Sequence, residues 1–263
     1  MRIDVSAFVG AYPFRRVPGT SPRALVAAMD RTGIDEAWVT HLPGIFWRDP
    51  HNGNRWLLDT CREHPRLRPV PAVQPEIPGW EGVLAAARDG GAPAVRSDPT
   101  YYGIAPSGPA MRALAAAGGE AGLPLALAVR LEDGRQRHPN DAAGELPAAA
   151  VRALVRSSAA VRLLVTHADR PFIEEVHFGS TPEEAGRIWW DITWIWGPPE
   201  DHLQTLLGTM GAGRFVFGTG QPLRIPENGP AKLDLLDLSP DDREAIEWRN
   251  AGRLRESTGA HPR

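Results

Sequence analysis

The segment VRLLVTHADRPFIEEVHF, residues 161–178, contains one strand-and-helix unit and shows the pattern from which the fold is predicted. Residues 161–166 are a short apolar run typical of a strand, and residues 170–178 form an amphipathic helical segment. Two polar residues, His167 and Asp169, lie in the turn between them. Repetition of such a unit predicts helices packed around a parallel sheet.

The same unit occurs along the whole chain. The predicted strands are residues 2–5, 36–40, 67–73, 94–96, 125–131, 161–166, 188–193 and 214–217. The predicted helices are residues 22–32, 54–64, 80–89, 108–121, 144–157, 170–178, 199–210 and 231–236, with a final helix over 240–256. Eight consecutive units, with no glycine-rich phosphate motif after the first strand, favour a closed (β/α)8 TIM barrel over a doubly wound sheet. We therefore predict an α/β fold with one domain over residues 1–263.

Composition excludes several functional classes. The chain has 29 basic and 32 acidic side chains, a net charge of −3 and no basic run, so neither nucleic acid nor a membrane surface is an expected partner. No leader-like start or long apolar stretch is present, which predicts a cytoplasmic protein. Cys61 is the only cysteine, and Lys232 is the only lysine. Because Lys232 lies in a late helical segment, lysine-dependent Schiff-base, pyridoxal-phosphate and P-loop classes are set aside.

Catalytic groups of a TIM barrel lie at the carboxyl ends of its strands, and these positions are unusually polar here. The candidate residues, in strand order, are Ser6, Phe8 and Arg15; His41; Arg96, Tyr101 and Tyr102; Arg130, Glu132, Asp133 and Arg135; His167 and Asp169; Asp191, Trp194 and Trp196; and Thr219 and Gln221. Arginine side chains present paired donors that suit carboxylates, so a small anionic substrate is the expected partner.

Several short motifs occur in an order that is typical of one superfamily. They are Ile3-Asp4, Met29-Asp30 followed by Gly33-Ile34-Asp35, His64-Pro65-x-Leu67, Val165-Thr166-His167, Trp190-Asp191-Ile192-Thr193 and Phe217-Gly218-Thr219-Gly220-x-Pro222. Over essentially its whole length the chain resembles the amidohydrolase superfamily, in its amidohydrolase-2, or aminocarboxymuconate semialdehyde decarboxylase-like, branch. The resemblance implies a barrel enzyme of hydrolase or lyase type.

The resemblance also implies metal ligands that this chain mostly lacks. Ser6 and Phe8 replace the His-x-His of the first strand, Ala128 or Val129 replaces a histidine, and Gly220 replaces an aspartate. His167 alone remains. One imidazole cannot hold a catalytic divalent metal, so no metal and no cofactor are predicted.

The remaining groups predict metal-independent acid–base chemistry. His167 is the candidate general acid or base, with its ring oriented by Asp191 or Asp169, and Arg130 would stabilise developing negative charge. The other candidates would bind the substrate, and Trp194 and Trp196 would supply an aromatic wall. A hydrolase or lyase acting on a small carboxylated, cyclic or aromatic compound is the leading hypothesis.

Three alternatives stay open. The chain could be a catalytically silent barrel that serves as a binding or partner subunit, or a metal hydrolase rebuilt from His167, Asp169 and Asp191. The mouth charges, Arg130, Glu132, Asp133 and Arg135, could form a structural ion-pair network. The apolar segment 42–53, which contains Phe46 and Trp47, is expected to pack over the barrel mouth or against another subunit, which leaves a homodimer open.

Overall fold

In the computed structural model, which describes residues 1–256, eight parallel strands follow one another along the chain. They are β1 (Ile3–Val9), β2 (Glu36–His41), β3 (Leu67–Pro69), β4 (Val95–Arg96), β5 (Leu125–Ala128), β6 (Leu163–Thr166), β7 (Ile188–Asp191) and β8 (Phe215–Val216). Strands β1 to β3 pair in order, and so do β4 to β8. Every predicted strand is therefore found, while residues 257–263 of the predicted domain lie outside the described residues.

Backbone hydrogen bonds join these two groups of strands at both seams. At the first seam, Arg96 N–H donates to the Pro71 carbonyl (2.9 Å) and Val73 N–H donates to the Arg96 carbonyl (2.7 Å). At the second, Val5 N–H donates to the Phe217 carbonyl at 3.0 Å. The eight strands thus close into a barrel without a free edge, which confirms the predicted (β/α)8 architecture.

Helices surround the barrel. The main ones are α1 (Pro22–Thr32), α2 (His51–Glu63), α3 (Trp80–Asp89), α4 (Pro99–Tyr102), α5 (Pro109–Glu120), α6 (Ala148–Val155), α7 (Arg170–Phe178), α8 (Pro182–Ala185), α9 (His202–Met210), α10 (Asn228–Asp234), α11 (Pro240–Glu244) and α12 (Asn250–Arg255). A π-helical turn, Ala245–Arg249, connects the last two, where one continuous helix was predicted. None of the helices formed by residues 1–256 combines the length and apolar character needed to cross a membrane.

Side chains alternate between the barrel interior and the helix layer, as the period of a strand requires. Ile3, Trp38 and Trp189 pack in the interior cluster at the amino ends of the strands. Trp190 instead faces α7, where its ring lies 6.4 Å from that of Phe172. The carboxyl ends of all eight strands consequently meet at one end of the barrel, where the candidate site is expected.

Candidate active site

His167 follows β6 directly, and its backbone departs from strand geometry. Its φ of +58° makes it the sole non-glycine residue with positive φ in the described part of the chain. The side chain is fully buried, and its ring lies 5.7 Å from that of Phe8 inside the barrel. Such a backbone is uncommon outside glycine and is retained where the surrounding contacts impose it. His167 is therefore held with its imidazole toward the barrel axis.

The two nitrogens of this imidazole differ sharply. Nδ1 lies 2.8 Å from the carbonyl oxygen of Arg130, whereas Nε2 is buried and has no hydrogen-bond partner within residues 1–256. Because a carbonyl only accepts, Nδ1 carries the hydrogen and Nε2 carries the lone pair. Burial lowers the pKa of His167 to about 4, a shift that Asp191 opposes. The ring is neutral at pH 7 and presents a proton acceptor.

The predicted contact of the His167 ring with Asp191 or Asp169 is not found. Asp191 accepts the backbone N–H of His167 (2.9 Å) and the hydroxyl of Thr193 (2.6 Å). Asp169 caps α7 by accepting Phe172 N–H and pairs with Arg130 at 2.7 Å. Asp191 thus positions the His167 backbone, and the Arg130 carbonyl orients the ring.

The four arginines predicted to bind an anion are each paired with a carboxylate of the protein. Arg96 makes two 2.8 Å hydrogen bonds to Asp98, and the two side chains are only 3% and 1% exposed. The other pairs are Arg130 with Asp169 and Glu145, Arg15 with Glu132, and Arg135 with Asp133. The ion-pair alternative stated for Arg130, Glu132, Asp133 and Arg135 is found for the pair Arg135–Asp133, whereas Arg130 and Glu132 are paired with residues outside that predicted network.

Four further candidates are Ser6, Thr219, Gln221 and His41. Ser6 lies inside the barrel with its hydroxyl 3.0 Å from that of Thr193, while Thr219 and Gln221 bind the buried Asp4 and tie β8 to β1. His41 points away from the barrel interior and contacts Trp47 and Trp56. Its predicted role in substrate binding does not fit this position, because strand alternation places it toward α2.

Aromatic side chains cover the barrel mouth above β1 to β5. The cluster consists of Tyr12, Phe14, Phe46 and Tyr101, with neighbouring ring centroids 5.0–5.6 Å apart. Tyr102 lies beside it with an unpartnered, buried hydroxyl. Because Phe46 belongs to this cluster, the apolar segment 42–53 packs over the barrel mouth. This was one of the two expectations for the segment, the other being contact with another subunit.

A cavity of about 340 Å³ lies on the other side of the mouth, beside β7 and β8. Thr193, Gly218 and Thr219 line it together with Trp194 and Trp196. Asp133 and Arg135 also line it, and Trp196 is half exposed. Of the sequence candidates, the structure thus brings Trp194, Trp196, Thr219, Asp133 and Arg135 together around one cavity.

Two cations of this cavity were missed in the sequence. Arg224 places its guanidinium 3.6 Å from the Trp194 ring centre and forms no ion pair with a carboxylate of the described chain. Lys232, on α10, also lines the cavity, so its late position in the sequence does not remove it from the site. Arg224 lies only two residues after the strand-end motif that closes with Pro222, and that proximity was the available signal.

The donor set at the strand ends does not fit a catalytic metal. Phe8 and Ala128 have no donor atoms, Ser6 bonds to Thr193, and a Cβ on Gly220 would lie 3.1 Å from His167 Nε2. No group of three or more His, Cys, Asp or Glu side chains in residues 1–256 could hold a metal ion. The rebuilt set of His167, Asp169 and Asp191 fails because both carboxylates are turned to other partners.

Comparison with solved structures confirms the type of barrel. A 2,6-dihydroxybenzoate decarboxylase from Rhizobium superposes with a TM-score of 0.73 at 15% identity, covering 97% of this chain and 98% of that chain. A structure described as a putative amidohydrolase from Staphylococcus aureus gives a TM-score of 0.73 at 11% identity, so the chain shares its barrel fold. No family model and no curated protein matches the sequence.

Two further solved structures have the same fold. A dihydroxybenzoic acid decarboxylase from Polaromonas, with bound manganese and 2-nitroresorcinol, gives a TM-score of 0.73 at 13% identity over 97% of this chain and 96% of that chain. A Pseudomonas putida protein assigned as a 2-pyrone-4,6-dicarboxylic acid hydrolase gives 0.69 at 20% identity over 97% of each chain. These neighbours are named for decarboxylation or hydrolysis of small carboxylated rings.

Proposed function

We propose that this amidohydrolase-like barrel is a hydrolase or lyase that acts on a small carboxylated, cyclic or aromatic compound, with His167 as a metal-independent base. The observation that carries the proposal is the unpartnered Nε2 of a fully buried imidazole. Leaving a buried polar atom without a partner costs about 1–3 kcal/mol. A catalytic role is one explanation for such an atom, and Nε2 lies at the carboxyl ends of the strands, beside Gly220 that follows β8.

The protonation state assigns His167 the role of base. With Nδ1–H donated to the Arg130 carbonyl and the pKa lowered to about 4 by burial, Nε2 accepts a proton at neutral pH and does not supply one. Asp191 does not touch the ring and acts by holding the His167 backbone. Arg130 orients the ring through its carbonyl oxygen, while its guanidinium is occupied by two carboxylates.

The substrate class is proposed from the cavity beside β7 and β8. His167 does not line this cavity, and Gly220 lies between its Nε2 and the cavity residue Arg224. Arg224 offers a guanidinium without a carboxylate partner in residues 1–256, and Trp194 offers a flat apolar face. A guanidinium binds a carboxylate through paired hydrogen bonds, and an aromatic ring packs well on an indole. The neighbours named for 2,6-dihydroxybenzoate and 2-pyrone-4,6-dicarboxylate support the same class of ligand.

A catalytically silent barrel is the second candidate function. The observation that favours it is the pairing of Arg15, Arg96, Arg130 and Arg135 with protein carboxylates, which leaves none of the four arginines predicted to bind an anion without a carboxylate partner. Such a barrel would bind carboxylated rings at the cavity and leave them unchanged. Turnover therefore separates the two candidates.

The test is turnover of a panel of carboxylated rings, beginning with 2,6-dihydroxybenzoate and 2-pyrone-4,6-dicarboxylate, by protein expressed with manganese and zinc available. We expect metal-free protein to be active and His167→Asn to lose about 10²- to 10⁴-fold in rate, as removal of a general base does. Asparagine tolerates the positive φ, so the fold should be retained.

The matched control is His177→Asn on the outer helix α7, which should keep full activity. Near-stoichiometric metal in the active protein, or full activity of His167→Asn, would overturn the proposed mechanism. Ligand binding without turnover across the panel would favour the silent barrel.

A further inference from the structure

Lys232 is the only lysine of the sequence, and its amine is held in an unusual environment. Nζ donates to the carbonyl oxygens of Ile192 and Thr193, both at 2.8 Å, and forms no ion pair with a carboxylate of the described residues. The side chain lines the same cavity as Arg224 and Trp194. A solvated lysine would be a freely rotating ammonium, whereas this one is fixed at the cavity wall.

The two carbonyl contacts allow the amine to lose a proton without losing a hydrogen bond. A neutral amine has two N–H groups and one lone pair, so both carbonyls stay satisfied and the lone pair takes the remaining position on nitrogen. Burial lowers the pKa of Lys232 to about 8, the charge of Arg224 adds to the shift, and Asp191 opposes it. A substantial fraction of the amine is therefore nucleophilic slightly above neutral pH.

The groups around Lys232 indicate what such an amine could capture. Arg224 is suited to a carboxylate, and Thr193 and Asn228 add neutral polar groups. The cavity lining contains two carboxylates. Asp133 is paired with Arg135, and Glu200 is exposed. A carbonyl compound that also carries a carboxylate matches both the amine and the guanidinium.

We propose that Lys232 forms an imine with a small 2-oxo acid whose carboxylate is bound by Arg224. The amine nitrogen attacks the carbonyl carbon, a C–N bond forms, and the carbonyl oxygen leaves as water with the two amine protons. The exchange of an amine and a ketone for an imine and water needs no oxidant or reductant. The proposal uses neither His167 nor turnover, so it stands or fails separately from the function proposed above.

The test is reductive trapping of the folded protein with pyruvate and cyanoborohydride at pH 8, followed by peptide mass analysis. We expect a reduced adduct on the peptide that contains Lys232. Methyl pyruvate, which lacks the carboxylate charge, should label Lys232 about tenfold more slowly, the loss expected for one charge-assisted contact. The rate at the exposed N-terminal amine is the internal reference that corrects for the intrinsic reactivity of each reagent.

Two variants make the test specific. Lys232→Arg keeps a cation that can donate to both carbonyls and should give no adduct at this position, while circular dichroism checks its fold. Arg224→Gln should still label but should no longer distinguish pyruvate from methyl pyruvate. Absence of the Lys232 adduct in folded protein would overturn the proposal, and so would an equal corrected rate for the two reagents.

Discussion

Gly220→Ala is expected to destabilise the barrel by about 2–5 kcal/mol, because alanine meets two penalties at this position. The φ of +68° is left-handed, which costs a residue with a Cβ about 1–2 kcal/mol. The added Cβ would also lie 2.8 Å from Thr193 Cγ2 and 3.1 Å from His167 Nε2. Overpacking of this kind in a closely packed interior costs about 1–3 kcal/mol.

Gly103→Ala is the matched control for the backbone penalty. Its φ is +69°, and a Cβ there has no atom within 4 Å. Equilibrium urea unfolding of the wild type and both variants should show that Gly220→Ala loses about 1–3 kcal/mol more than Gly103→Ala. Equal losses would refute the close packing of Thr193 and His167 around Gly220, and with it the buried position of Nε2.

Three other predictions concern buried ionisable groups. Asp98→Asn should lower the free energy of unfolding by about 3–5 kcal/mol, since Arg96 would keep a buried charge without its partner; a loss below 1 kcal/mol in urea would contradict the buried pair. The pKa values of His41 and His167 are lowered from 6.5 to about 4, so as pH falls the unfolded chain takes up protons first. The free energy of unfolding should therefore have its full value above pH 6.5 and decline toward pH 4. Over this pH range the urea midpoint should decline less for His167→Asn than for the wild type. An identical decline in the two proteins would rule out a contribution from His167. Burial raises the pKa of the Cys61 thiol to about 12, so a thiol reagent should react at the rate of unfolding, and rapid reaction of native protein would show that the residue is accessible.

The sequence predicted all eight strands because local alternation of apolar runs and helical segments decides each element. Strand limits were less certain, and β3 shows why. A strand was predicted over residues 67–73, but Pro69 and Pro71 have no N–H to donate, so the regular strand ends at Pro69. Beyond it Val70 N–H still donates to the Val39 carbonyl, and Ala72 forms only an isolated bridge with Arg96. The first strand was predicted too short because Ser6 interrupts its apolar run, whereas β1 continues to Val9 through an irregular register.

The candidate site was predicted less completely, because its contacts join distant parts of the chain. Strand-end positions were located correctly, but the sequence does not reveal that Arg15 pairs with Glu132, 117 residues away. Nor could it show the positive φ of His167, which decides where the imidazole points. Side-chain direction and ion pairing depend on packing between strands, and local patterns contain no information about either.

Charge balance differs between the two sides of the barrel mouth, and this difference indicates where the proposed carboxylated ligand would bind. On the β1–β5 side an incoming carboxylate would have to displace a protein carboxylate; breaking Arg96–Asp98 would leave a buried charge unpaired at about 3–5 kcal/mol. That cost corresponds to a loss of more than about 100-fold in affinity. Arg224 imposes no such cost, because it forms no ion pair within residues 1–256. A carboxylated ligand is therefore expected beside β7 and β8, where Gly220 separates Arg224 from the Nε2 of His167.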